Sequence, residues 1–213
     1  TFENIERIAY EAAVDMHNNG INFYESRYAP FYSVNDELSP LDVINAVNSG
    51  FKLAKNEYGI ESGLILCGMR HDPQNVIDVS NLAIENKDLI IGFDIAAPEL
   101  GFMPSKHKEV FKKVKENNVN VTIHAGEGDG VASIQDALDN GAKRIGHGVR
   151  IIEDVNLVNK NLGKVASYIV EKQIPLEVCI TSNLHTNMYK NLEEHPIKQL
   201  IELGFNITLN TDN

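Results

Sequence analysis

The sequence predicts a parallel α/β barrel of the (β/α)8 type. Three observations lead there. First, seven apolar, β-branched runs alternate with amphipathic helical patterns along the chain, and apolar strands separated by helices build a parallel sheet. Second, polar side chains gather where those runs end: Arg70 and His71, Asp94, His124, His147, Thr181 and Ser182, and Asp212. A barrel collects its active-site residues at that C-terminal end of its strands. Third, no Gly-x-Gly-x-x-Gly follows the first strand and no Gly-x-x-x-x-Gly-Lys occurs, so dinucleotide and nucleoside-triphosphate cradles are not supported. A doubly wound sheet uses the same edge and is the alternative fold.

Each element has its own signal. Ile5, Ile8, Ala9, Ala12 and Met16 recur at helical spacing over residues 3–17, and Gly20 stops that helix. Ile21–Tyr28 alternates as a strand and puts Glu25 and Arg27 on one face. Ser39 and Pro40 form an N-cap and first-turn pair for a helix reaching Tyr58, with Gly59 after it. Leu64–Met69 is a continuous apolar strand, residues 74–85 a helix, and Leu89–Ala96 a further strand with Asp94 near its end. Ser105 caps a helix to about Glu116. Val119–Ile123 then forms a strand that stops at His124, where Gly126, Gly128 and Gly130 turn the chain. The remaining elements are a helix over 132–138, a strand over 144–148, a helix centred on 165–170, a strand over 175–180 running into a Thr-Ser-Asn turn, a helix opened by His195-Pro196, and a strand over 205–210.

The 213 residues fit one domain with a single large core. A formal net charge of −11 argues against nucleic acid or an anionic membrane surface as partner and leaves a small neutral or cationic ligand compatible. No apolar run is long enough to span a bilayer. Cys67 and Cys179, the two cysteines, lie within strand-like runs as small buried hydrophobes, which suits a cytoplasmic location. Thr1 opens directly into a helix and Asn213 follows a strand without a closing helix, which reads as a fragment of a longer protein.

The chemistry is expected where three strand tips converge. His124, His147 and Asp212 offer imidazole and carboxylate, the donor types of a catalytic zinc. Glu127 follows His124 by three residues, beyond the strand end, and can fold back over the barrel mouth. Buried there, its carboxyl would hold a proton to donate. Glu25, Arg27 and Arg70 read as a polar network inside the barrel, Asp94 as a residue supporting the site, and the Thr-Ser-Asn turn as a cap. His107, His185 and His195 read as surface, capping or loop residues.

The set Ile123-His-Ala-Gly-Glu127, Ile145-Gly-His-Gly-Val149, Cys179-Ile-Thr-Ser-Asn183 and Leu209-Asn-Thr-Asp-Asn213 resembles the bacterial adenosine deaminase family. Asp94-Ile-Ala-Ala-Pro-Glu99 is similar to that family's Asp-Leu-Ala-Gly-x-Glu segment, and Asn22–Pro30 to its second barrel strand. The motifs fall in family order from end to end of the chain. The resemblance implies a single-domain piece, residues 1–213, that carries barrel strands two to eight. It also implies zinc-dependent hydrolysis of adenosine, and of 2′-deoxyadenosine, to the inosine product plus ammonia in purine salvage. His124 and Asp212 are then zinc ligands, with two more histidines expected upstream of Thr1. Glu127 is the acid that protonates purine N1, and His147 orients or deprotonates the attacking water. Ala97 stands where the family has Gly, its backbone N–H facing purine N3. Asn213 stands where many members have Asp, its amide able to donate to N7. Another aminopurine (adenine, AMP or a modified adenosine) is the alternative substrate, and a metal-free nucleoside-binding barrel the alternative from a different class. The cytidine-type zinc deaminase signature is absent.

Overall fold

A computed structural model describes residues 1–212. Its helices and strands arise where local signals and burial agree. Thr1 caps α1 (Phe2–Asn18), which leads to β1 (Phe23–Tyr28). Before α2 (Pro40–Tyr58), the Ser39 hydroxyl accepts from the Asp42 N–H, the Asp42 carboxylate accepts from the Ser39 N–H, and Pro40 fills the first turn. That reciprocal cap is worth about 1 kcal/mol. Gly59, at φ 74°, ends the helix in the left-handed region that favours glycine.

β2 (Glu61–Met69), α3 (Pro73–Glu85), β3 (Gly92–Ala96), α4 (Lys108–Glu116), β4 (Thr122–Ala125), α5 (Val131–Asp139) and β5 (Arg144–His147) continue the alternation. A short antiparallel ribbon, β6 (Val155–Asn156) and β7 (Asn161–Leu162), precedes α6 (Lys164–Lys172). β8 (Leu176–Val178), α7 (Ile180–His185), α8 (Ile197–Glu202) and β9 (Ile207–Leu209) complete the described chain.

Apart from the ribbon, all strand pairs are parallel, in the orders β1-β2-β3 and β4-β5-β8-β9. A single parallel bridge, Phe93 to Val121, joins the two groups. The order follows the chain without the reversal that a doubly wound sheet has at its switch point. Phe93, Ile95, Ile123, Ile145, Leu176 and Val178 from the strands share one buried cluster with Val76, Phe111, Val114, Ile134 and Ile169 from the helices. This apolar layer holds the sheet and leaves its other face for polar residues. Among the described residues no helix is long and apolar enough to cross a membrane.

Several sequence expectations need correction. The strand expected to stop at His124 runs through it to Ala125, because His124 pairs with Gly146 in the ladder. Ser105 does not cap α4; it lies in a 3-10 turn, Pro104–His107, and its N–H donates to Asp136 at 2.7 Å. The Thr-Ser-Asn turn is the start of α7, which follows β8 directly. The 3-10 segment Val149–Asp154 and the β6–β7 ribbon had no apolar period to announce them.

Candidate active site

The polar face of the sheet carries a continuous ladder of opposite charges. Glu25 on β1 pairs with Arg144 on β5, and Arg144 Nε donates to Glu177 on β8 at 2.9 Å. Glu177 also pairs with Arg27 on β1, whose other guanidinium nitrogen reaches Asp94 on β3. Asp94 in turn accepts from His124 on β4, from Nδ1 at 2.7 Å and from the backbone N–H at 3.2 Å. The strand period puts these groups on one face, and each buried carboxylate is met by a cation. Asp94 is fully buried. That burial works to raise its carboxyl, and the His124 and Arg27 charges override it and hold the group at about 2. The expected interior network of Glu25 and Arg27 is therefore present, and Asp94 supports His124.

Arg70 does something different. Its buried guanidinium donates to the carbonyls of Ile95 (3.2 Å) and His124, so it fastens the ends of β3 and β4 to each other.

At the C-terminal ends of the strands the ladder opens into a cavity of about 400 Å³, lined by Ala97, His124, Glu127, His147 and Asp212 among others, with Thr186 and Met188 from the segment after α7. His147 Nε2 lies 3.6 Å from Glu127 Oε2 and 3.8 Å from Asp212 Oδ2. The rings of His124 and His147 are 5.2 Å apart. Burial raises the Glu127 carboxyl above the usual carboxylate range, opposed by the His124 charge and reinforced by Asp212 and Glu99. Burial likewise lowers His147, and the His124 charge adds to that effect. A proton is thus favoured on the carboxyl, and a second proton is disfavoured on the imidazole.

The backbone is bent sharply around this cavity. Ala97, His147 and Asp212 all have positive φ, at 80°, 61° and 71°. L-residues hold such angles only when surrounding structure imposes them. Gly146 leaves room for the site: a Cβ there would meet the His124 ring at 3.1 Å. At Ala97 the left-handed backbone costs about 1–2 kcal/mol, partly offset because alanine restricts the unfolded chain more than glycine does. Ala97→Gly is expected to stabilise the protein by about 0.5 kcal/mol, seen as a higher denaturation midpoint in urea. A lower midpoint would show that the φ at Ala97 is not strained.

The loop bearing Glu127 is pinned from below. The buried Glu99 carboxylate accepts from four consecutive backbone N–H groups, of Gly126 (2.6 Å), Glu127 (3.0 Å), Gly128 (2.8 Å) and Asp129 (3.0 Å). The sequence reading gave Glu99 no role. Only its position in the segment after Asp94 could have flagged it, since the partners are backbone groups from another strand tip. Of the surface, capping or loop positions expected for His107 and His195, only the surface one fails, and His107 stands at the N-cap position of α4. His107 and His195 are buried, not surface residues. His107 Nε2 lies 2.9 Å from the Arg70 carbonyl, and His195 Nδ1 accepts from the Ile197 N–H at 3.2 Å, so its capping role holds. Asn183 is fully buried and links His195 to His147, which a turn-capping reading does not foresee. His71 is exposed and takes no part in the cavity. Asn213 lies outside the described residues.

The donor chemistry fits a metal of the zinc type. Ligand atoms of His124, His147 and Asp212 all lie within 4.8 Å of one another. A neutral His124 that donates Nδ1–H to the ionised Asp94 would present its Nε2 lone pair to a metal. A carboxylate behind the imidazole is the usual orienting partner of a metal-binding histidine.

The adenosine deaminase family model matches residues 1–213. The chain belongs to the adenosine deaminase family. Adenosine deaminase 1 of Streptomyces coelicolor is 41% identical over 223 residues, covering 100% of this chain and 56% of that protein. The chain thus spans a little over half the length of that relative. Among solved structures, an adenine deaminase from Arthrobacter aurescens aligns with a TM-score of 0.89 at 23% identity, covering 100% of this chain and 63% of the other. An amidohydrolase from Burkholderia ambifaria with bound zinc aligns with a TM-score of 0.87 at 24% identity, covering 99% and 58%. At these identities the structural matches speak for the fold: an α/β architecture with parallel strands, shared with TIM-barrel amidohydrolases over part of their length. Of the polar residues expected at the strand tips, His124, His147 and Asp212 line one cavity, together with Glu127 and Ala97, whereas Arg70, His71, Asp94, Thr181 and Ser182 are not part of its lining.

Proposed function

We propose that this chain is part of a zinc-dependent hydrolase that converts adenosine, and 2′-deoxyadenosine, to the inosine product and ammonia in purine salvage. In the complete protein its seven parallel strands are strands two to eight of a (β/α)8 barrel. The observation that carries the reading is the meeting of His124, Glu127, His147 and Asp212 over one cavity, with the carboxyl of Glu127 raised and Asp94 behind His124. His124 and Asp212 would hold the zinc, together with histidines supplied from outside this chain. Bound there, zinc supplies Lewis acidity and makes water a nucleophile near neutral pH.

The remaining work belongs to the chain's own residues. Glu127 enters as the acid and donates its proton to purine N1, which leaves C6 electron-poor. His147, beside both carboxylates, orients the water that adds at C6 and stabilises the charge that develops there. C6 gains oxygen from water and the C6–N bond breaks; one water proton turns the departing amino group into ammonia and the other restores the Glu127 carboxyl. The Ala97 backbone N–H is the proposed donor to N3, and the Asn213 amide the proposed donor to N7. A purine nucleoside needs no basic footprint, in keeping with the net charge of −11.

The substrate is tested by ammonia release from adenosine, 2′-deoxyadenosine, adenine and AMP with the zinc-loaded full-length protein. Adenosine and 2′-deoxyadenosine are expected to be turned over fastest. Faster turnover of AMP or adenine would replace adenosine as the substrate and keep the same chemistry at C6.

A further inference from the structure

One backbone N–H sets the direction of a buried chain of hydrogen bonds that ends in the cavity. The Ile197 N–H can only donate, and it points at His195 Nδ1 at 3.2 Å. That nitrogen must therefore accept, so His195 is neutral and carries its proton on Nε2. His195 Nε2 lies 3.2 Å from Asn183 Oδ1, and this contact is satisfied only with the carbonyl oxygen facing the imidazole N–H. Flipping the amide would set two donors against each other. The other end of the amide, Nδ2, is then a donor, and it lies 3.0 Å from His147 Nδ1. His147 Nδ1 accepts in its turn, which leaves the His147 proton on Nε2. Asn183 is fully buried, and His195 and His147 are each 2% exposed, so water does not compete for these bonds.

We infer that His195 is a positioning residue that, acting through Asn183, fixes the proton of a neutral His147 on Nε2. The N–H thus placed faces the side-chain oxygens of Glu127 and Asp212. His147 consequently offers a donor where His124 offers a lone pair, which separates the two histidines of the cluster: one suited to a metal, the other to the oxygen that attacks. The catalytic meaning of this arrangement rests on the deaminase reading of the site; the location of the proton does not.

The test is long-range 15N–1H correlation spectroscopy of the zinc-loaded full-length protein labelled with 15N-histidine, with the His147 signals assigned by their loss in His147→Phe. Unaltered protein is expected to show a single neutral tautomer of His147 protonated at Nε2. Asn183→Asp places a carboxylate acceptor against Nδ1 and is expected to move the proton there. His195→Phe removes the donor that orients Asn183 and is expected to mix the two tautomers, whereas the amide of His195→Gln can still donate and is expected to preserve the original one. In parallel, kcat should fall about 10-fold in His195→Phe with KM and zinc content unchanged, and recover in His195→Gln. A His147 proton on Nδ1 in the unaltered protein would overturn the inference, and that spectrum decides even if a variant fails to fold. One tautomer unchanged in folded His195→Phe and Asn183→Asp would overturn it too. Tautomer shifts as described, in a protein that releases no ammonia from any aminopurine, would uphold the relay while the deaminase reading fails.

Discussion

Glu127→Gln in the full-length protein is expected to lower kcat for ammonia release from adenosine by about 10²- to 10⁴-fold, the usual worth of a positioned acid. Zinc is expected to stay bound at about one per chain, the occupancy of a single catalytic site. The substitution keeps the side chain's shape and removes the proton that it would give to N1. The loop should hold its place, because its backbone N–H groups bind Glu99 and not Glu127. KM is expected to change little, since the proton matters most as C6 becomes tetrahedral. Steady-state kinetics beside metal analysis checks both halves. Loss of zinc with the activity would make Glu127 a ligand and contradict its assignment as the acid.

The second large effect is on stability. Arg27→Met keeps a long apolar stem and removes the cation that, among the described residues, touches both Asp94 and Glu177. Asp94 is then left with His124, and Glu177 with Arg144. Breaking a buried charge pair from one side costs about 3–5 kcal/mol, because the remaining charge stays out of water without its partner. A destabilisation of that size is expected in urea denaturation, and acidification should narrow the difference. The Asp94 carboxyl is depressed to about 2 from an ordinary value of 3.8, so its contribution is complete above the ordinary value and is lost as pH falls through the folded one. The variant lacks much of that contribution and has less to lose. A variant as stable as the parent at neutral pH would mean that the ladder contributes no net stability.

Both effects draw on residues that the sequence exposes unequally. The strands are legible because parallel strands buried on one face and crowded on the other read as unbroken apolar runs, as in Leu64–Met69 and Leu89–Ala96. Their tips are legible because a histidine or carboxylate ending such a run, as at His124, His147 and Asp212, has no place in an apolar core. What the sequence hides is partnership across strands. Arg27, Arg144 and Glu177 sit on three strands far apart in the chain, and no spacing announces that they meet. Glu99 binds backbone amides, which leave no trace in the side-chain pattern. His195 carries the signal of a helix start and performs that role, yet the same ring also faces Asn183. Short elements fare worst: the β6–β7 ribbon has two residues a strand, too few to show a period.

The central claim is that His124 and Asp212 hold a zinc ion on which adenosine hydrolysis depends. Its most direct test is ammonia release from adenosine by the full-length protein, stripped of metal with a chelator and then titrated with zinc. Activity is expected to be absent after stripping and to rise linearly to a plateau at about one zinc per chain, as for a single catalytic site. The same titration of His124→Ala should give no plateau at that ratio. Full activity in the stripped protein, or an unchanged titration in His124→Ala, would contradict the account.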